Sequence, residues 1–208
     1  MAKLLKKQIP MSPPAEEYSA TAFRRTEEAK ATTRHILDVA YGPEDDQDID
    51  IYLPDDANAT NVPVFMFVHG GSWTHGYKEW MGLMAPALVA TPAILVSVSY
   101  RLAPECRFPG PLEDCVAALA WVHRHIGEYG GDPGRLFVGG HSAGGHLYTL
   151  ASLQPARLAR ARKIAHGFQE HMWSKGLDRP GSRGAHGRKA PPGGRGGIAL
   201  RGVSCVGR

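Results

Sequence analysis

Apolar residues run without interruption through VPVFMFVHGG (62–71) and AILVSVSY (93–100), and through the shorter RLFVGG (135–140). A strand covered on both faces needs no polar alternate position, so such runs predict parallel strands inside a sheet. The stretches between them, 78–90 and 111–129, carry helical periods. The second has Pro111 and two acids at its start and Gly130-Gly131 past its end, which are start and stop signals for a helix. A further helix is expected at 143–153, directly after the third strand. Upstream, 15–34 is rich in Ala, Glu and Arg and predicts a polar surface helix. HILDVAY (35–41) and DIDIYLP (48–54) flank a turn-rich hexapeptide, and the alternation in the second predicts a half-exposed edge hairpin. The order ββ, then β-α-β-α-β-α, implies an open α/β sheet, mostly parallel, with flanking helices.

After Leu153 the pattern stops. An amphipathic stretch near 156–166 is possible by its spacing, but no strand of credible length follows, and from Gly176 onward Gly, Arg and Pro dominate. Such a composition does not bury enough apolar surface to order itself, so 154–208 is expected to be a disordered tail. Charge divides the chain at the same place. Residues 1–154 hold 12 Lys and Arg against 18 Asp and Glu, a net of −6, whereas 155–208 hold 12 against 2, a net of +10. The overall +4 therefore describes neither part and does not argue for a nucleic-acid or membrane-surface protein. Three cysteines, Cys106, Cys115 and Cys205, cannot all pair and show no CxxC spacing, so free thiols in a reducing cytoplasm are expected, with no metal site. There is no apolar run of signal-peptide or membrane-spanning length.

Two motifs carry chemistry. Gly140-His141-Ser142-Ala143-Gly144 lies directly between a buried strand and a helix. A serine there sits on a turn so sharp that small residues are needed two places either side, and the turn lifts its hydroxyl above the carboxyl ends of the strands. The helix N-terminus beneath it offers N–H groups to a developing negative charge. His69-Gly70-Gly71-Ser72-Trp73 ends the first long apolar strand, 71 residues before Ser142 in the case of Gly71. A glycine pair at that point can turn backbone N–H groups into the crevice as an oxyanion hole, together with the N–H of Ala143.

On these motifs residues 30–153 resemble the α/β-hydrolase superfamily, and within it the hormone-sensitive-lipase-like esterases and the kynurenine formamidases (arylformamidases). HGGSW matches the HGGxW form of that family's oxyanion motif, SYRLAPE with Phe108-Pro109 and Glu113-Asp114 resembles the block after the next strand, and GGDPGRLFVGGHSAGGHL resembles the nucleophile region. ATTRHILDVAYG and DIDIYLP are closer to the formamidases. The resemblance implies Ser142 as catalytic nucleophile and the N–H groups of Gly71, Ser72 and Ala143 as oxyanion donors, with His69, Gly70, Trp73, Gly140 and Gly144 as supporting positions. With the pattern and charge along the chain, three stretches are expected: an N-terminal helical segment at 1–34, the N-terminal part of an α/β-hydrolase domain at 35–153, and the basic tail at 154–208.

A serine hydroxyl needs a base, and the base needs a carboxylate to fix its tautomer. In α/β-hydrolases these follow the serine in the order acid, then histidine. Each strand–helix unit takes on the order of 30 residues, and the 55 residues after Leu153 are unpatterned. An incomplete fold is therefore expected, truncated or frame-shifted near residue 154, with Asp178 and His186 as acid and base by residue type alone. His141 and His146 flank the nucleophile but should face elsewhere. Arg101, Glu105 and Asp114 are expected to brace a loop by ion pairs, Trp73 and Trp121 to pack, and Tyr18 is a weak candidate for the acyl-pocket wall.

The expected function is hydrolysis of a small carboxylic ester or aryl formamide through an acyl-enzyme, without cofactor or membrane partner, impaired by the missing acid and histidine. One alternative is nucleic-acid binding through the tail, where GGRGG (193–197) is RGG-like; the element occurs once and lacks interleaved aromatics. Another is a hydrolase-like binding domain without catalysis. Oligomeric state is not legible in the sequence.

Overall fold

The computed structural model describes residues 5–153 and 201–202. Ser12 caps α1 (Pro13–Thr32), its hydroxyl accepting the Ala15 N–H, and two prolines fit the first turn, where no intrahelical donor is needed. The hairpin β1 (Arg34–Ala40) and β2 (Asp48–Leu53) follows, then β3 (Val62–Val68), α2 (Ala85–Val89), β4 (Ile94–Val98), α3 (Gly110–His125), β5 (Gly131–Gly140) and α4 (Ala143–Ser152). The sheet order is β1-β2-β4-β3-β5-β6, where β6 is Arg201–Gly202. β3 runs parallel to β4 and β5, and β2 runs antiparallel to β1 and β4. This is the mostly parallel α/β sheet expected.

Alternate residues of β3 separate the two faces. Val64, Met66 and Val68 join the core under α3 and α4 with Leu112, Leu119, Val122 and Leu147. Phe65 and Phe67 turn to the other face, with Ala85 and Val89 of α2 and Leu95. α1 covers that second face further out, Ala22 meeting Trp80 and Met81. Helices thus cover both faces of the parallel strands, which is why those strands read as unbroken apolar runs.

The structure differs from three of these expectations. β2 is not half-exposed: all six residues are buried between β1 and β4, and β1 is the exposed edge. Its polar positions face a buried ion cluster instead of water, where the Lys78 ammonium meets Asp50 at 2.7 Å, Asp38 at 2.8 Å and Glu79 at 2.8 Å. The helix expected at 78–90 is a 3-10 segment, Lys78–Met84, running into the short α2, because Pro86 starts a new helical turn there. The helix expected at 111–129 likewise ends as a 3-10 turn over Ile126–Tyr129, closed by Gly130 in the left-handed conformation. Arg201 and Gly202 pair in parallel with Phe137 and Val138 as the two-residue strand β6. Apart from these two residues, the tail expected to be disordered and the stretch 156–166 fall outside the described residues. Among the described residues no helix is long and apolar enough to cross a membrane.

Candidate active site

β5 ends at Gly140 and α4 begins at Ala143, so two residues make the whole turn. Ser142 takes up the strain with φ 50° and ψ −115°, a region that side chains avoid at a cost of about 1–3 kcal/mol. Its neighbours explain why the turn holds. A Cβ on Gly144 would lie 2.2 Å from the Val68 carbonyl oxygen, and one on Gly140 would lie 2.5 Å from the Gly144 carbonyl carbon. Only glycine at both places lets β5, α4 and the end of β3 come this close. Ser142 is exposed and its hydroxyl makes no capping bond to α4, so the side chain stands free over a helix N-terminus. The N–H of Ala143, first in that helix, has no intrahelical acceptor available to it.

The loop after β3 meets this turn. A Cβ on Gly70 would sit 3.3 Å from the Ser142 Cβ and 2.8 Å from the His141 Nδ1, so the two motifs are in contact. The chain then twists through Gly71 (φ 124°), Ser72 (φ 53°) and Trp73 (φ 61°). Each of the two peptides that matter is held by its carbonyl. The Gly70 oxygen is 2.7 Å from the His69 Nδ1, and the Gly71 oxygen accepts the N–H groups of Thr74 at 3.1 Å and His75 at 2.9 Å. In a trans peptide the C=O and N–H point opposite ways. Fixing those carbonyls into the loop therefore turns the N–H groups of Gly71 and Ser72 outward, and among the described residues neither finds an acceptor.

His69 itself is fully buried, stacked on Tyr100 at 4.4 Å between ring centroids. Burial lowers its imidazole to about 4, so it is neutral near pH 7. A carbonyl only accepts, so Nδ1 carries the proton, and Nε2 has no partner among the described residues. The Tyr100 hydroxyl donates to the His69 carbonyl at 3.1 Å, and burial keeps that phenol protonated by pushing its pKa well up.

The structure thus brings His69, Gly70, Gly140, Ser142 and Gly144 together at the carboxyl ends of β3 and β5, with Gly71, Ser72 and Ala143 next to them in the chain, at the end of the sheet where ligands bind in open α/β folds. Trp73 is not core packing: it is 42% exposed and meets His146 edge-on at 5.4 Å, whereas Trp121 is buried against His125. His141 and His146 are both exposed. Tyr18 packs on Trp80 at 5.4 Å, on the face covered by α1. Arg101 grips Asp114 with two side-chain bonds of 2.9 and 2.8 Å, and its own N–H adds a third at 3.0 Å. Glu105 is exposed and takes no part; Gln47, from the turn after β1, completes the buried Asp114 site at 2.6 Å. A cleft of about 960 Å³ lies between residues 5–9 and the loop 99–106, and Ser142 is not on its wall. Its walls carry Lys6, Asp46 and Glu105, charges that suit a solvated groove better than an acyl pocket. Asp178, His186, Cys205 and the GGRGG element lie outside the described residues. Among the described residues no three His, Cys, Asp or Glu side chains group to hold a metal ion.

The BD-FAE family model matches residues 49–172, past the point where the hydrophobic pattern stops. The chain is 37% identical over 120 residues to esterase LipC of Mycobacterium tuberculosis, covering 57% of this chain and 30% of that protein. It is 45% identical over 101 residues to carboxylesterase NlhH of the same species, covering 48% of this chain and 30% of that one. The crystal structure of EstE1, a thermostable carboxylesterase cloned from a metagenomic library, superposes with a TM-score of 0.55 at 30% identity, covering 71% of this chain and 50% of that one. The chain therefore spans less than a third of the length of the curated relatives it matches.

Proposed function

The chain belongs to the BD-FAE family, and from that premise we propose that it is built for ester hydrolysis with Ser142 as nucleophile. The observation that carries this is the strained Ser142 backbone, kept by glycines at 140 and 144, with a free hydroxyl above α4. Such strain persists only where the surrounding structure over-determines it, and it clusters at active sites. The Ser142 oxygen attacks the ester carbonyl, and the carbonyl oxygen, now negative, takes the N–H groups of Gly71, Ser72 and Ala143. Each such donor is worth about 2.7–4 kcal/mol in the transition state of a comparable hydrolase. The ester C–O bond breaks, the leaving oxygen regains through water the proton given up by the Ser142 hydroxyl and departs as the alcohol, and a further water hydrolyses the acyl-enzyme to release the acid. No cofactor is called on.

The substrate is a small carboxylic ester, in keeping with the names of the relatives. Aryl formamides are the second candidate, from the formamidase-like character of the segment that forms β1 and β2. Turnover by the 208-residue chain is impaired in this reading, since no described residue serves as base to Ser142 and Asp178 and His186 sit in unpatterned sequence. Serine proteases stripped of their triad keep on the order of 10³–10⁴-fold over water, and we expect that remnant here.

The assay is hydrolysis of p-nitrophenyl butyrate and of N-formylkynurenine beside a Ser142→Ala control. A slow release that the control lacks is expected. Turnover that survives in Ser142→Ala contradicts the nucleophile assignment; turnover of ordinary enzymatic size that the control abolishes contradicts the impairment and directs attention to Asp178 and His186.

A further inference from the structure

The two peptides that present the oxyanion donors are held from outside their own loop. Gln8, half-buried and 68 residues away in sequence, places its carboxamide against the backbone of Gly76. The side-chain N–H donates to the Gly76 carbonyl at 3.0 Å and the side-chain oxygen accepts the Gly76 N–H at 2.7 Å, so both backbone groups of one residue are satisfied by one side chain. Gln8 is also held from behind, its own N–H donating to the Tyr77 hydroxyl at 3.0 Å, while that hydroxyl donates to the Lys6 carbonyl at 2.8 Å. Gly76, at φ 114°, is the surface on which the oxyanion peptide rests. A Cβ there would fall 2.3 Å from the His69 Nδ1 and 2.4 Å from the Gly70 oxygen. The Gly70 carbonyl cannot swing without pushing Gly76, and the Gly71 N–H belongs to the same planar unit as that carbonyl. The neighbouring peptide is held in parallel. The His75 N–H fixes the Gly71 carbonyl, and the His75 ring reaches the Ile9 carbonyl at 2.7 Å through Nε2.

We propose that Gln8 is a positioning residue of the oxyanion hole, clamping Gly76 so that the N–H groups of Gly71 and Ser72 stay aimed at the Ser142 crevice. It touches neither substrate nor Ser142. The proposal rests on Ser142 being the nucleophile. Alignment alone is worth a large factor, since a displacement of about 1 Å at a reacting centre costs up to about 100-fold.

The test uses the full 208-residue chain with Gln8→Ala and Gln8→Glu, p-nitrophenyl butyrate as probe, and amide hydrogen exchange on the same samples. Gln8→Ala should lower the acylation rate about tenfold, a part of that alignment factor, with KM unchanged. Exchange should quicken over residues 69–77 and nowhere else. Gln8→Glu keeps the acceptor for the Gly76 N–H but loses the donor to its carbonyl, and should fall between. An unchanged rate with unchanged exchange overturns the proposal, as does a raised KM at constant kcat. A rate loss that tracks global exchange or loss of folded protein overturns it too, since Gln8 would then only stabilise the fold. If Ser142→Ala hydrolyses as fast as the parent, the nucleophile reading has failed instead. The exchange arm alone then decides the clamp, local quickening in Gln8→Ala supporting it and none overturning it.

Discussion

Ser142 and His69 show how far single residues can be pushed when their neighbours permit it. Ser142 holds a disfavoured backbone because three backbone segments close around Gly140 and Gly144. The sequence motif announced that turn, since glycine two places on either side of a serine between a strand and a helix has few other uses. His69 was legible only as a supporting position. Its neutral ring, the proton on Nδ1 and the stack on Tyr100 come from burial and from a residue 31 positions away. That burial has a measurable consequence. The unfolded imidazole titrates near 6.5 and the folded one at about 4. Stability from keeping His69 neutral is therefore complete above pH 6.5 and is lost as pH falls toward 4, by about 3 kcal/mol in all. Asp50, raised by burial against the pull of Lys78, contributes with the opposite sign at acid pH. The comparison must for that reason be made between the parent and His69→Phe. In urea unfolding, the parent should lose stability between pH 7 and 4.5 more steeply than the variant; equal slopes would mean that His69 protonates freely in the folded state.

Elements were legible where one rule governs a whole segment and misread where a distant partner intervened. The parallel strands β3 and β4 fall inside the predicted apolar runs, β5 ends with its run at Gly140 but starts four residues earlier at Gly131, and α3 and α4 begin within a residue of expectation. DIDIYL was read as half-exposed because alternation normally means water on one face. Asp50 instead faces Lys78, 28 positions on, and the bulge in β1 that brings Asp38 to the same ammonium leaves no trace in composition. This cluster joins β1, β2 and the segment that leaves the oxyanion loop, with the Lys78 side chain 2% exposed and Asp50 1%. Removing the cation alone leaves carboxylates buried without a counter-charge, a change that typically costs about 3–5 kcal/mol. Lys78→Met should lower stability by about that much in chemical denaturation, and adding Asp50→Asn should recover part of it. A loss under about 1 kcal/mol, the size of a surface pair, would show the cluster to be solvated.

In the whole molecule, the sheet brings the carboxyl ends of β3 and β5 side by side. β5 pairs with β3 along its length, but on its other side only Phe137 and Val138 meet β6 among the described residues. The fold class and the position of the crevice were readable from the order of the apolar runs and the two glycine motifs. The grip of residues 6–9 on the oxyanion loop was not, since it consists of side-chain and carbonyl contacts across 66 to 71 positions, with no periodicity to betray them. In the proposed function Ser142 is a nucleophile facing preset N–H donors. The most direct measurement is covalent trapping with a p-nitrophenyl alkylphosphonate, whose tetrahedral adduct places an oxygen where the oxyanion would lie, followed by peptide mass mapping. One phosphonyl group per chain is expected, on the peptide containing Ser142, formed slowly and absent from Ser142→Ala. An adduct on any other residue, or one that forms equally in Ser142→Ala, would contradict it.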